Sequence, residues 1–435
     1  MKSHGFSRPN LLSRIYLQLD GAGGAAWIYY VLDLAERIDP AALRQALEGL
    51  LEDWPQLRSR GVRRWYGYRR DLIPLADVDL DSVLTVSSDA GAADVFLQHK
   101  PDLARELPIQ VLLHQGPTQD QIVTALHHSL ADGQALLFVL ARLSERYGAS
   151  IRGEPAPPYL QPEPEARYRH LLQGVSWSDR SRIVREACRY LWDGARLPGS
   201  ARPLALATFI DEPLPARGQL RYMRIGLSFD QAACLIRWAV KRNGSPTDVL
   251  LTASLRAAMK VWPDQAAMPI MVSLPVSVRS AADIDVTNRV GVMDFEVHAG
   301  DFETVFAQVS VATAQARTRR PAVLNIFKFT LASYLPPVIF ERVARRYFSH
   351  KVNVRESLTF TALGVFDEGP RRFGPVAVTD SVLLGSVIAP PGLKVNVSPH
   401  GGRLNLCVAY LDPVITPASI VAFTEAVRAE LGSLV

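Results

Sequence analysis

QIVTALHHSLADGQALLFVLARLSERYG, residues 121–148, changes its periodicity once, at its centre. QIVTAL (121–126) is an apolar, partly β-branched run of strand length. QALLFVLARLSERYG (134–148) instead sets Ala135, Phe138, Val139 and Arg142 at the spacing of one helix face. Between the two stand His127, His128, Ser129, Leu130, Ala131, Asp132 and Gly133. A strand end followed by a helix start holds polar side chains at a rigid edge while the backbone turns, which suits a catalytic group. Adjacent side chains cannot both face one cavity, so only one of His127 and His128 is expected to do chemistry. Asp132 is placed to cap the helix, and Gly133 tolerates an unusual φ. Taken alone, the histidine pair reads equally as a satisfied structural feature and Asp132 as a plain N-cap.

Working outward, the same two periods alternate along the chain. Strands are expected at 27–34, 121–126, 220–228, 269–276, 291–298 and 404–410, all rich in β-branched and aromatic residues. Helices announce themselves by their caps: Asp39-Pro40 before AALRQALEGLLED, Ser245-Pro246-Thr247-Asp248 before VLLTASLRAAMKVW, and Thr416-Pro417 before ASIVAFTEAVRAEL. The mixture implies an α/β or α+β protein. Five prolines in RGEPAPPYLQPEPEA (152–166) exclude both a helix and a central strand there. The expected division is an N-terminal lobe over 1–155, a Pro-rich and Arg-rich connector over 156–200, and a C-terminal lobe over 201–435.

Composition narrows the class. With 435 residues the chain is long for one core, and 48% hydrophobic with 21% charged residues excludes broad disorder. No run reaches the roughly eighteen unbroken apolar residues of a transmembrane helix. The N-terminus lacks the pattern of a signal peptide. Cys188, Cys234 and Cys407 are odd in number and widely spaced, so neither a disulfide framework nor a metal site is expected, and a cytoplasmic setting fits. A net charge of +5 is too small a bias for a nucleic-acid binder. Arginines do cluster, at 167–196 and again, with lysines, at 317–351. They read either as solvated helix faces or as a surface that meets an acidic carrier protein, a nucleotide phosphate or a lipid head group.

In its strand–turn–helix setting, the HHxxxDG pattern of residues 127–133 resembles the signature of the chloramphenicol-acetyltransferase-like superfamily. That superfamily includes condensation domains of peptide synthetases, wax-ester synthase-like enzymes and polyketide-associated acyltransferases. The resemblance extends to LSFDQAACLIRWAVKRNGSPTDVLLTASLRAAMKVW and to MVSLPVSVRSAADIDVTNRVGVMDFEV, where Arg279, Asn288 and Gly291 stand at matching places. It continues into LTFTALGVFDEGP, except that Ala362 stands where asparagine is usual. The resemblance implies two similar lobes forming a V-shaped pseudo-dimer with a central tunnel, and His128 midway along it as general base. It makes His127, Asp132, Gly133 and Arg279 supporting residues, with Asp132 paired to an arginine of the second lobe, for which Arg279 is the candidate. Gly133 would leave room for substrate. Ser277 lies where some relatives place an oxyanion-stabilising hydroxyl, a match too loose to make it a site residue.

The function so implied is transfer of an acyl group from acyl-CoA or an acyl carrier protein to a small-molecule alcohol or amine, in secondary-metabolite or lipid biosynthesis. No tightly bound cofactor is expected; acyl-CoA or a phosphopantetheine-bound acyl group is a co-substrate. The alternatives are a free-standing condensation enzyme served by carriers in trans, and a catalytically inactive acyl-carrier-binding protein. The aromatic and basic stretch 325–351 reads first as a core-packing helix pair and second as a cover over the tunnel or a peripheral membrane contact. Two other signals point to turns. Gly21-Ala22-Gly23-Gly24-Ala25-Ala26 follows RIYLQLD, a candidate strand, but precedes a strand pattern rather than the helix that a dinucleotide site needs. His400-Gly401-Gly402 reads as a hairpin, with no GxSxG elbow to pair with it.

Overall fold

The computed structural model describes residues 26–65, 67–159, 219–279, 285–318, 335–340, 357–363, 369–385 and 392–435. It also describes scattered positions within 6–17, 176–185, 209–211 and 321–326, and at 342 and 387. Most of the connector expected over 156–200, most of the arginines in the two clusters, and most of 325–351 lie outside the described residues.

Among the described residues the backbone forms one small and two large sheets. In the small one, β1 (Phe6–Ser7) and β3 (Ser59–Arg64) flank β4 (Gly67–Leu72). The first large sheet contains β2 (Trp27–Leu34), β5 (Leu84–Ser87), β6 (Ile109–Gln115), β7 (Asp120–His127), β12 (Arg372–Phe373) and β13 (Val376–Leu384), in the order β12-β13-β2-β7-β6-β5. The second contains β8 (Gln219–Leu227), β9 (Ile270–Ser277), β10 (Val290–Val297), β11 (Leu358–Ala362), β14 (Leu393–His400) and β15 (Arg403–Asp412), in the order β10-β9-β11-β14-β15-β8. Each six-stranded sheet is mixed, with parallel pairing at β5–β6 in one and at β11 in the other.

Amphipathic helices cover one face of each sheet. On the first lie α1 (Pro40–Asp53) and α3 (Gly133–Arg152), whose leucines join Ile28, Tyr30, Leu32 and Ile122 in one core. The shorter α2 (Ala92–Gln98) reaches towards the second sheet, where its last residue bridges to Leu220 through both atoms of the Gln98 amide. On the second sheet lie α4 (Phe229–Val240), α5 (Pro246–Val261), α6 (Phe302–Arg317) and α7 (Pro417–Gly432), around Val272, Phe360, Val395 and Leu406. The caps read from sequence form: Ser245 and Asp248 exchange both bonds of a capping box, and Asp39 and Thr416 cap helices that begin with proline. At the β14–β15 turn, Gly401 and Gly402 take φ of 57° and 77°, as a two-residue hairpin with the strand twist requires.

Two expectations change. RIYLQLD (14–20) is not a strand at its described positions: Arg14, Tyr16 and Leu17 are helical, as is Ser13 before them. The Gly-rich segment that follows is outside the described residues up to Ala26, and β2 rather than a helix comes next. The linear division of the lobes also fails at one place. Residues 372–384, assigned from sequence to the C-terminal lobe, pair with β2 of the first sheet, Val382 opposite Val31. Without this crossover β2 would present an unpaired edge.

The crossover explains the unusual strand LKVNVSPH (393–400). Leu393, Val395 and Val397 face the second core, so Lys394, Asn396, Ser398 and His400 point to the opposite face. On a solvated sheet that face would be wet, yet all eight residues are buried. The first sheet covers it: Leu383 N–H donates to Ser398 Oγ at 3.3 Å, and His400 bonds Ser381 Oγ and the Val378 carbonyl, each at 3.1 Å. A second seam joins β8 to β2, where Arg224 donates to Asp33 at 2.9 Å.

Candidate active site

β7 ends at His127 and α3 begins at Gly133, so the HHxxxDG residues form the strand–turn–helix link read from sequence. His127 is completely buried, 0% exposed. Its Nδ1 accepts from the Ser129 N–H at 3.2 Å, and the Ser129 hydroxyl lies 2.8 Å from the same atom. Trp27 meets its ring edge-on. His127 therefore shapes the turn from inside. His128, pointing the other way, keeps accessible surface although protein surrounds it. The aromatic ring of Tyr16 stacks on its imidazole, with centroids 4.4 Å apart and planes 11° from parallel. From the small sheet, Arg70 donates to the Ser129 carbonyl and holds the turn from a third side.

Asp132 caps α3 by accepting from the Ala135 N–H at 2.8 Å. Both its oxygens also receive the Arg279 guanidinium at 3.1–3.3 Å, and the Arg289 N–H donates to Oδ2 at 2.8 Å. Arg279 binds Asp285 Oδ1 at 2.8 Å with its remaining edge, and the Thr287 carbonyl as well. Asp132 and Arg279 are 1% and 4% exposed, so this is a buried, saturated staple between the lobes. Such a pair contributes geometry more than net stability, but losing one partner strands a buried charge. Ser277 belongs to the same seam, its hydroxyl donating to Gln134 Oε1 at 2.9 Å.

Asn288, from the second lobe, meets His128 directly. Its Oδ1 accepts from the Val290 N–H at 3.1 Å, which orients the amide. Its Nδ2 then donates to the His128 carbonyl at 2.8 Å and lies 2.9 Å from His128 Nδ1. One amide of the second lobe thus sits against both the ring and the main chain of His128. Burial pushes the His128 pKa down to about 3, the positive charge of Lys394 adds to the shift, and the neighbouring carbonyls of His128 and Ala131 oppose it. The imidazole is therefore neutral through the whole physiological range.

Of the residues singled out from sequence, the structure brings together His128, Asp132, Arg279 and their scaffold His127. Gly133 sits in close packing: a Cβ there would meet Leu363 at 3.2 Å and Leu383 at 3.6 Å. Its lack of a side chain lets α3 approach Leu363 and Leu383 closely. Ala362 supplies no amide; Asn288 supplies one from another strand entry. The sequence reading did not single out Tyr16, Lys394 or Arg70. The alternation of LKVNVSPH puts Lys394 on one strand face with Asn396 and Ser398, but such a polar face reads as solvated and carries no signal of a second layer.

No protein-family model matches the chain. Chondramide synthase cmdD of Chondromyces crocatus is 26% identical over 208 residues, which are 46% of this chain and 5% of that protein. The chain thus spans only a small part of the length of the curated relative it matches. Among solved structures, polyketide synthase associated protein 5 from Mycobacterium tuberculosis superposes with a TM-score of 0.67 at 18% identity, covering 99% of both chains. The first condensation domain of the CDA synthetase gives 0.69 at 16% identity, covering 100% of this chain and 97% of that one. A mutant starter condensation domain of rhizomide synthetase RzmA, in complex with C8-CoA and Leu-SNAC, gives 0.66 at 14% identity, covering 99% and 95%. Two mixed sheets with a crossover strand, stapled at an HHxxxDG turn, thus make this chain a two-lobed protein of the chloramphenicol-acetyltransferase-like, condensation-domain fold.

Proposed function

We propose that the protein transfers an acyl group from a thioester, on CoA or a carrier protein, to a hydroxyl or amine. His128 is the general base. The observation that carries this reading is a neutral, accessible imidazole at a strand end, whose own carbonyl is clamped by Asn288 of the opposite lobe. In the tautomer with the ring proton on Nδ1, Nε2 is the nitrogen that takes the acceptor's proton as its oxygen or nitrogen attacks the thioester carbonyl. In that tautomer Nδ1–H turns to the His128 carbonyl, and Asn288 Nδ2, itself a donor, holds the residue through that carbonyl and not through Nδ1. The tetrahedral intermediate then collapses, the C–S bond breaks, and the thiolate leaves with the proton that Nε2 received. A positioned base is worth about 10²–10⁴-fold in rate. Asp132, saturated by Arg279 and two backbone N–H groups, has no free lone pair for proton transfer and acts as a structural residue.

The test is His128→Ala, which should abolish transfer while thermal unfolding stays cooperative. Acyl-CoA and acyl-carrier donors, followed by intact mass across an acceptor panel, identify both substrates. Retained turnover in the variant would overturn the role of His128. A free-standing condensation enzyme joining carrier-bound substrates is the second reading, favoured by the synthetase relative; amide or depsipeptide product formed only from carrier donors would select it. Peripheral membrane contact rests on the stretch 325–351, most of which lies outside the described residues, and liposome flotation tests it directly.

A further inference from the structure

Two polar atoms on the inward face of the second sheet are left over by the fold. On β14 the polar residues that alternate with the apolar ones serve the crossover at one end, where His400 and Ser398 are spent on β13. Asn396, the next in step, is fully buried and gives its Nδ2 to the Cys407 carbonyl at 3.4 Å. That bond orients the amide and leaves Oδ1 as an acceptor. Across the parallel ladder Thr361 is the register partner of Asn396, and because Phe360 points into the second core, the Thr361 side chain points to the same face as Asn396. Among the described residues, Asn396 Oδ1 and Thr361 Oγ1 are both buried without a hydrogen-bond partner. A buried polar atom left unpaired destabilises the fold, so two of them on facing residues call for an occupant.

We propose that the Thr361 hydroxyl and the Asn396 amide oxygen hold a substrate hydroxyl that takes no part in the reaction. The proposal deepens the acyltransferase reading and rests on it for the ligand being a substrate. The seat lies beside the catalytic turn. Two residues beyond Thr361, Leu363 packs where Gly133 opens α3. A Cβ at Gly385 would meet Asn396 Oδ1 at 2.8 Å and would also meet Lys394 Nζ. Gly385 follows Leu384, which pairs with Tyr29 of β2, while Trp27 of β2 pairs with His127. Only β2 separates Gly385 from the end of β7, so the seat stands two strand spacings, roughly 10 Å, from the turn. A group held there is too distant to be the one His128 deprotonates. The chemistry selects a hydroxyl. Facing residues on strands ~4.8 Å apart are bridged by one oxygen that makes two bonds of about 2.8 Å. Its O–H donates to Asn396 Oδ1, and its lone pair accepts from the Thr361 hydroxyl. A secondary amide sends its N–H and C=O in opposite directions, and the Lys394 ammonium beside Asn396 repels a second ammonium.

The experiment is a thermal-shift titration, without turnover, of wild type, Thr361→Val, Thr361→Ser and Asn396→Leu. The probes are two matched pairs: octanoyl-CoA with ω-hydroxyoctanoyl-CoA, and octanol with α,ω-octanediol. In each pair the added hydroxyl stands at the far end of the chain from the reacting group, a span that suits the seat. Wild type should bind the hydroxylated member of one pair about tenfold tighter than its alkyl partner, and that pair identifies donor or acceptor as the bearer. Thr361→Val should erase the preference and Thr361→Ser retain it. Ligand-free Thr361→Val should unfold at the wild-type temperature or above it, because the hydroxyl it loses bonds no described residue. Wild type with no preference in either pair would leave the two atoms to solvent and overturn the proposal. So would a preference that survives in both Thr361→Val and Asn396→Leu, or a lowered unfolding temperature in ligand-free Thr361→Val. A wild type that shows the preference yet transfers no acyl group retains the seat and overturns only the acyltransferase reading.

Discussion

His128 combines three properties that local sequence alone cannot supply: accessibility, neutrality and a fixed ring orientation. The sign of its titration follows from the lowered pKa. Between about 3 and the ordinary imidazole value of 6.5 the unfolded chain binds a proton that the folded chain refuses. Stability therefore falls as pH drops through that window, by up to about 1.4 kcal/mol per unit. Urea unfolding at pH 6.5 and pH 5 should show about 2 kcal/mol of loss in wild type that His128→Ala lacks. In turnover, the acid limb of kcat/KM should lie well below pH 6.5; a limb at 6.5 would show that the imidazole is solvated in the working enzyme. Asn288→Ala frees the ring without removing the base. We expect kcat to fall by about 10²-fold with KM little changed, since misplacing a catalytic group by about 1 Å has that effect. An unchanged kcat would mean the clamp is dispensable.

At the scale of elements, α5 and β14 behave differently. The capping box of α5 is local: Ser245 and Asp248 satisfy each other's backbone N–H groups whatever packs nearby. Ser245→Ala should lower stability by about 1 kcal/mol in chemical denaturation and leave activity alone. β14 is legible only halfway. Its alternation identifies a strand and an inward apolar face, but the sequence holds no sign that Lys394, Asn396, Ser398 and His400 are covered by β13. RIYLQLD misleads for a related reason: its alternating apolar residues fit a strand, while its described residues form a helix that puts Tyr16 on His128.

Across the whole molecule, the lobes are held by few but saturated polar joints. Asp132→Ala should destabilise by about 3–5 kcal/mol, because it strands the Arg279 guanidinium at 4% exposure and removes the α3 cap. Thermal unfolding would measure that loss, and a change below 1 kcal/mol would mean the joint relaxes into water. The HHxxxDG turn, its helix, the caps and six of the strands were legible from sequence by itself, because they depend on residue spacing and on bonds between near neighbours, while the two-lobed plan was what the resemblance of that turn implied. The crossover of 372–384, the amide of Asn288 on His128, the cation of Lys394 beside it and the tie from Arg70 to the turn were decided only in three dimensions. Each joins residues more than fifty positions apart, where a hydrogen bond or a charge leaves no period in the chain to read.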